Sequence, residues 1–335
     1  MLDSVLHLME TNKRWLMGGL LLLALLFPFL APNKYFIHVV SLALIMAIAA
    51  SGLNLLVGYT GQFNLAHAGF MAIGAYTVGI LTVDYGWAFW PAFALSGIVA
   101  GALGFLGGII SLRLKTHYFS IFTLCVGYII YLVIEKFDWL THGTVGIIGL
   151  PGPGAIGPLT FTTPVAQYYM LLACLIFSLF VLDRIVHSLF GRACIAIRND
   201  ADLAAALGVN VMRTKVIAFV VSTVYAGFAG GLYAGFVRFI GPALASESIT
   251  FDLVMFLLVG GIGTLSGPLI GTLLLTLATE SLQFLQEYRM IVFGPLLIVL
   301  IIYFPLGLVG YAKTMLAQRR APKPSAHPDG KPADA

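Results

Sequence analysis

"FDLVMFLLVGGIGTLSGPLIGTLLLTLATESLQFL", residues 251–285, is almost unbroken apolar sequence, and how it divides decides the fold. A single helix of that length would rise about 50 Å, well beyond the ~30 Å hydrocarbon core of a bilayer. Gly260, Gly261, Gly263, Gly267 and Pro268 interrupt its middle. Broken there, it reads as two membrane helices, 250–264 and 267–286, joined by a tight turn.

Outward from this pair, further apolar runs predict spans at about 15–31, 36–58, 63–82, 88–112, 117–136, 166–187, 214–238 and 290–311. The expectation is an all-α polytopic membrane protein with about ten transmembrane helices. A mean hydropathy of +0.98 excludes a soluble globular domain. The alternating strands of a membrane barrel are absent, which sets aside the other structure that can span lipid.

Charge tests the division. With ten spans and both termini cytoplasmic, the inside holds Lys13, Arg14, Arg113, Lys115, Arg184, Arg192, Arg198, Arg213, Lys215, Lys313, Arg319, Arg320, Lys323 and Lys331. Only Lys34, Lys136, Arg238 and Arg289 fall outside, so 14 of the 18 basic residues are internal. That is the bias the positive-inside rule demands. Merging 251–285 into one span would place the basic tail "KTMLAQRRAPKP" on the wrong side.

This layout assigns 1–14 to a cytoplasmic N-terminal segment, 15–311 to the membrane domain and 312–335 to a cytoplasmic tail expected to be disordered. "NKRWLMGGLLLLALLFPFLAP" (12–32) lacks a small-residue cleavage site and is expected to remain as the first span. The Gly/Pro-rich connection 138–165 is external, and its length suits a lid or a receptor-facing loop. The second and seventh spans begin similar blocks of four, each with a glycine-broken polar stretch. Five spans apart, such repeats would be inverted in the membrane. Cys125, Cys174 and Cys194 show neither CxxC spacing nor an even number, so no disulfide framework or metal site is suggested.

One polar segment stands out on the cytoplasmic side, 188–215, containing "GRACIAIRNDADLAAALGVNVMRTK". Asn199 is placed as an N-cap, Asp202 as its capping-box partner three residues on, and Asp200 favours the helix dipole. Gly208 suits the left-handed position that ends a helix. Two readings stand side by side. The helix anchors a loop at the interface, or its small face of Ala204, Ala205, Leu207, Gly208 and Val209 enters a groove on another protein. In the second, Arg192, Arg198 and Arg213 would pair with a partner's carboxylates.

The run "GRACIAIRNDADLAAALGVNVMRTKVIAFVVSTVYAGFAGGLYA" (191–234) resembles the cytoplasmic coupling segment of bacterial branched-chain amino acid ABC permeases, of the LivM type in particular. "GLNLLVGYTGQFNLAHAGFMAIGAYT" (52–77), "FDLVMFLLVGGIGTLSGPLIGTLLL" (251–275) and "FPLGLVG" (304–310) are similar to the same family, in the same order. The resemblance covers about 45–310. It implies a fold similar to the vitamin B12-type (type II) importer, with 188–215 docking on an ATP-binding subunit. It further implies a second, LivH-like permease, two ATP-binding subunits, a periplasmic substrate-binding protein and residence in the bacterial inner membrane. ATP and magnesium would sit on the partner subunits, with no cofactor here. No GxxxxGK[ST] phosphate loop occurs in this chain. In "LTHGTVGIIGLPGP" (140–153) the family commonly has an acidic residue where Val145 stands, a departure that leaves branched-chain amino acids, urea and short amides open as cargo.

For the transport path, Asn54, Gln62, Asn64 and His67 form the densest polar cluster at membrane depth, with Thr144 in the external loop. Each of the four is read equally as pathway lining or as interhelical hydrogen-bond glue. No HExxH pattern or carboxylate spacing gives His67 a metal or catalytic role. Glu135, Asp183, Asp252 and Glu280 lie near predicted span ends, which weighs against an ion-coupled carrier. A membrane enzyme lacks paired carboxylates and any nucleophile constellation, and the modest charge needs no nucleic-acid partner. The GxxxG steps, Gly227/Gly231/Gly235 among them, read as packing within the subunit.

Overall fold

The computed structural model describes residues 13–31, 33–114, 116–155, 157, 160–281 and 307–311. Its helices are α1 (Lys13–Leu30), α2 (Lys34–Asn54), α3 (His67–Gly79), α4 (Phe89–Ser111), α5 (Thr116–Lys136), the single turn α6 (Asp138–Thr141) and α7 (Pro164–His187). There follow α8 (Leu189–Asn199), α9 (Ala201–Ala206), α10 (Val211–Val237), α11 (Glu247–Gly260) and α12 (Gly267–Ser281). Helix α2 continues as a π turn over Leu55–Tyr59, and α3 over Ile80–Asp84. Among the described residues five helices are long and apolar enough to cross a membrane: Lys34–Tyr59, Phe89–Ser111, Tyr118–Lys136, Pro164–His187 and Val211–Val237. The tenth expected span, 290–311, lies outside the described residues except for 307–311, and so does the tail from 312.

The run 251–285 divides where its glycines predict. Helix α11 stops at Gly260, Gly261 and Gly263 take φ of 120° and 73°, and α12 starts at Gly267. Thr264 starts α12: its hydroxyl accepts from Gly267 N–H at 3.1 Å and donates to the Gly261 carbonyl at 2.8 Å. The expected third span begins later than 63. Residues 61–66 are non-helical, because Asn64 Oδ1 accepts its own Ala66 N–H at 3.0 Å and Leu65 N–H is taken by the Thr123 hydroxyl at 3.1 Å.

Helix α10, 27 residues or about 40 Å long, is the axis of the bundle and packs on α2, α3 and α4. Close approach replaces bulk here. A Cβ on Gly74 would lie 2.2 Å from the Gly227 carbonyl oxygen, and one on Gly230 only 1.8 Å from that of Met71. Membrane helices gain little from the hydrophobic effect against one another, so this backbone contact is where their association comes from. The arrangement has an internal echo: α4 lies on α10 as α12 lies on α2, while α3 pairs with α4 as α11 pairs with α12.

Helix α1 is tied on by tyrosines. Pro28 lacks the N–H that would bond the Ala24 carbonyl, and the Tyr168 hydroxyl donates there instead at 2.8 Å. Tyr169 does the same for the Leu25 carbonyl at 2.7 Å.

The connections gather at two ends. At one, strand β1 (Ile147–Ile148) pairs antiparallel with β2 (Phe239–Ile240), Trp90 Nε1 donates to the Gly154 carbonyl at 2.8 Å, and His142 meets Asp84 at 3.2 Å. The long connection 138–163 is thereby pinned to the bundle. At the other end lie the 58–66 and 261–266 turns with α8 and α9.

Gly230→Ala should therefore force α3 and α10 apart and cost about 1–3 kcal/mol, lowering the thermal unfolding midpoint in detergent. Gly154→Ala, whose added Cβ meets nothing within 4 Å, should leave that midpoint unchanged.

Candidate functional site: the coupling segment and its clasp

Two helices, α8 and α9, make up the 188–210 segment, where the sequence predicts one. Ser188 caps α8, accepting from Gly191 N–H. Gly191, Cys194 and Ile197, spaced by three, face the bundle. That spacing was the available sign of a helix ahead of α9. Burial in this face pushes the Cys194 thiol up to about 12, which leaves it unreactive.

The cap assignment at α9 needs correction. Asn199 is the last residue of α8, and Asp200 is the N-cap: its Oδ1 accepts from Asp202 N–H and Leu203 N–H, both at 2.9 Å. Asp200 has the extended backbone of a cap, φ −156° and ψ 110°. Asp202 is therefore a first-turn residue and not a capping-box partner.

At the far end Gly208 takes φ of 88°. Val209 N–H donates to the Ala204 carbonyl at 3.0 Å and Gly208 N–H to that of Ala205 at 2.9 Å. These two bonds are the Schellman pattern. The small face predicted to be presented is split. Ala204 is buried and Val209 half-buried, while Ala205, Leu207 and Gly208 are open. Leu207 is 77% exposed, and Leu203, outside the predicted face, is 59% exposed. Two bare leucines one turn apart on a short, doubly capped helix form an apolar knob. Arg192 and Arg213 are exposed at its flanks.

Arg198 does something else. Its guanidinium donates to the Gly58 carbonyl, and its side chain packs against Gly61 and Gly263. Asn54, wholly buried, spans the same place from below. Its Oδ1 accepts from Gly263 N–H at 2.9 Å and its Nδ2 donates to the Thr264 carbonyl at 2.8 Å. Gly58 is tight against Gly263, where a Cβ would lie 2.6 Å from the Gly263 nitrogen. The "GYTG" and "GIGT" turns, about 200 positions apart in sequence, thus meet in one clasp that Arg198 joins to α8.

The other pathway candidates are interior too. His67 is fully buried and donates from Nε2 to the Ala49 carbonyl at 2.9 Å, with Nδ1 unpartnered. Asn64 makes its local turn and leaves Nδ2 unpartnered. Gln62 is buried, its N–H bonded to the Leu56 carbonyl at 3.1 Å. Thr144 is exposed at the opposite end and is not brought together with them.

A bundle of membrane-length helices, with short capped helices clasped to its turns at one end, is the build of a polytopic permease. Residues 35–301 match the family described as branched-chain amino acid transport system / permease component, and the chain belongs to that family. It is 32% identical over 332 residues to the high-affinity branched-chain amino acid transport system permease protein LivM of Escherichia coli, covering 91% of this chain and 77% of that one. The Salmonella typhimurium LivM is similar to the same degree, with 76% of its length covered. Escherichia coli LivH is 27% identical over 290 residues, or 81% of this chain and 93% of its own. No solved structure matches.

Asp200→Ala should cost α9 about 1 kcal/mol, read as roughly fivefold faster amide exchange at Leu203 and its neighbours. Asn199→Ala should leave those rates unchanged.

Proposed function

We propose that the chain is the translocation subunit of an ATP-binding cassette importer for branched-chain or similar apolar amino acids, resident in the bacterial inner membrane. The family match and the LivM relatives support this reading. The observation that carries the mechanism is the paired exposure of Leu203 and Leu207 on a helix whose flank is clasped to the bundle. Both termini lie in the cytoplasm, the spans number ten, and the fold is of the vitamin B12-type importer class. The echo between the α2–α4 and α10–α12 packing supports an inverted repeat within it.

In this account α9 enters a groove on an ATP-binding subunit, which supplies the ATP and magnesium chemistry. A LivH-like permease completes the pathway, and a periplasmic binding protein delivers the amino acid to the external face around Thr144 and Val145. Asn54, Gln62, Asn64 and His67 brace the turns that must move and do not line the path, because each is buried within this one chain. Arg192 and Arg213 meet the partner's carboxylates, while Arg198 carries the displacement into the bundle.

Leu207→Asp puts a charge on the knob, and Gly208→Val forces a β-branched residue into a left-handed turn. Either variant should insert normally yet lose co-purification of the ATP-binding subunit and leucine uptake, each by about tenfold or more. Retention of both by both variants would reduce α9 to a loop anchor.

A further inference from the structure

At the end of the bundle opposite the coupling segment, a cavity of about 360 Å³ opens between the start of α2, the start of α7 and the end of α10. Lys34 and His38 stand at its mouth, and Gln167 and Phe236 close it inside. His38 stacks on Phe236 with ring centroids 4.8 Å apart, which fixes one wall.

Three features give the cavity a charge preference. Lys34 is exposed, and among the described residues no ion pair engages it. Lys34 and Pro164 are the first residues of helices 21 and 24 residues long, so two positive dipole ends face the single negative end of α10 there, which Arg238 caps. The third is an unsatisfied donor. Ser41 lines the cavity, is fully buried, and its hydroxyl has no partner. A helical serine ordinarily bonds back to the carbonyl four residues earlier, as Ser51 does to Ala47 at 2.6 Å. Ser41 leaves that bond unmade, so a buried hydroxyl in the cavity lining is without a partner. The Glu280 carboxylate accepts from the hydroxyl of Tyr35 and keeps its charge, so Lys34 is the group that must draw an anion in.

The surroundings decide what kind of anion fits. Leu26 and Phe29, in the last turns of the α1 helix that leads into the start of α2, are exposed, and further along α7 Phe177 and Phe180 are bare as well, as lipid-facing helices require. A basic, hydrogen-bonding cavity at a helix end beside bare apolar surface suits an amphiphile: phosphate inside, acyl chains along α1 and α7.

We propose that this cavity binds the phosphate headgroup of an anionic membrane lipid, with Lys34 as its charge partner and Ser41 as its innermost donor. The inference stands on the membrane helices alone and is independent of the transport reading.

The test is native mass spectrometry of the detergent-purified full chain offered phosphatidylglycerol, phosphatidylcholine or inorganic phosphate. The parent should retain one phosphatidylglycerol in preference to phosphatidylcholine by on the order of tenfold, and Lys34→Gln should lower that preference about fivefold. Ser41→Val should lower it too. Lys34→Gln lies at an exposed position and tests the idea even if the buried variant fails to fold. Equal retention of the two lipids, or an unchanged preference in Lys34→Gln, would overturn the proposal. Displacement of the lipid by inorganic phosphate at equal concentration would also overturn it, and would reassign the cavity to a soluble phosphate.

Discussion

One buried carboxamide holds two distant turns of this protein together at the end that carries α8 and α9. Asn54 sits where α2 widens into a π turn, with no solvent reaching it, and uses both ends of its side chain on the backbone of the 261–266 turn. Without it, the Gly263 N–H and the Thr264 carbonyl would be left in a low-dielectric interior, at about 1–3 kcal/mol each. The glycines around it follow from this bond. Gly58 must be bare for the Gly263 backbone to reach Asn54, and Gly263 must turn left-handed to present its N–H. Only then does the Gly58 carbonyl face outward to receive Arg198 from α8.

Stiffness is distributed accordingly. The middle of the bundle is backbone against backbone, with Gly74 on Gly227 and Gly230 on Met71, and leaves no room for helices to slide. The clasp end is different. It is built of the Leu55–Tyr59 π turn, left-handed glycines and single hydrogen bonds, which are features of places where helices are re-aimed. Helix α9 is therefore connected through α8 and Arg198 to two turns at once, one in each half of the chain. Both turns lead directly into membrane helices.

Much of this was legible in the sequence because its signals are strong. Four glycines and a proline in the middle of an apolar run leave no other division of 251–285, and Gly208 after a capped helix marks the end of α9. The polar cluster was visible too, but not its job. A buried Asn carries the same letter whether it faces a pathway or a neighbouring turn, and its partners at 263 and 264 are more than 200 positions away. The cap slipped by one residue because Asn199 and Asp200 are both good caps. What separates them is Ser188, which starts α8 early enough to use Asn199 as its last turn. Arg198 looks like a partner-facing charge for the same reason: local sequence gives its exposure, while only the fold brings Gly58 beneath it.

The central claim is that Arg198 carries the mechanical link, while Leu203 and Leu207 carry the docking. The most direct measurement is leucine uptake per ATP hydrolysed by the assembled transporter containing Arg198→Ala, reconstituted in liposomes. The ATP-binding subunit should still co-purify and hydrolyse ATP, while uptake per ATP falls about tenfold or more, the loss expected when a charge-assisted bond at the joint is removed. Unchanged uptake per ATP would contradict the account and return the clasp to a purely structural role.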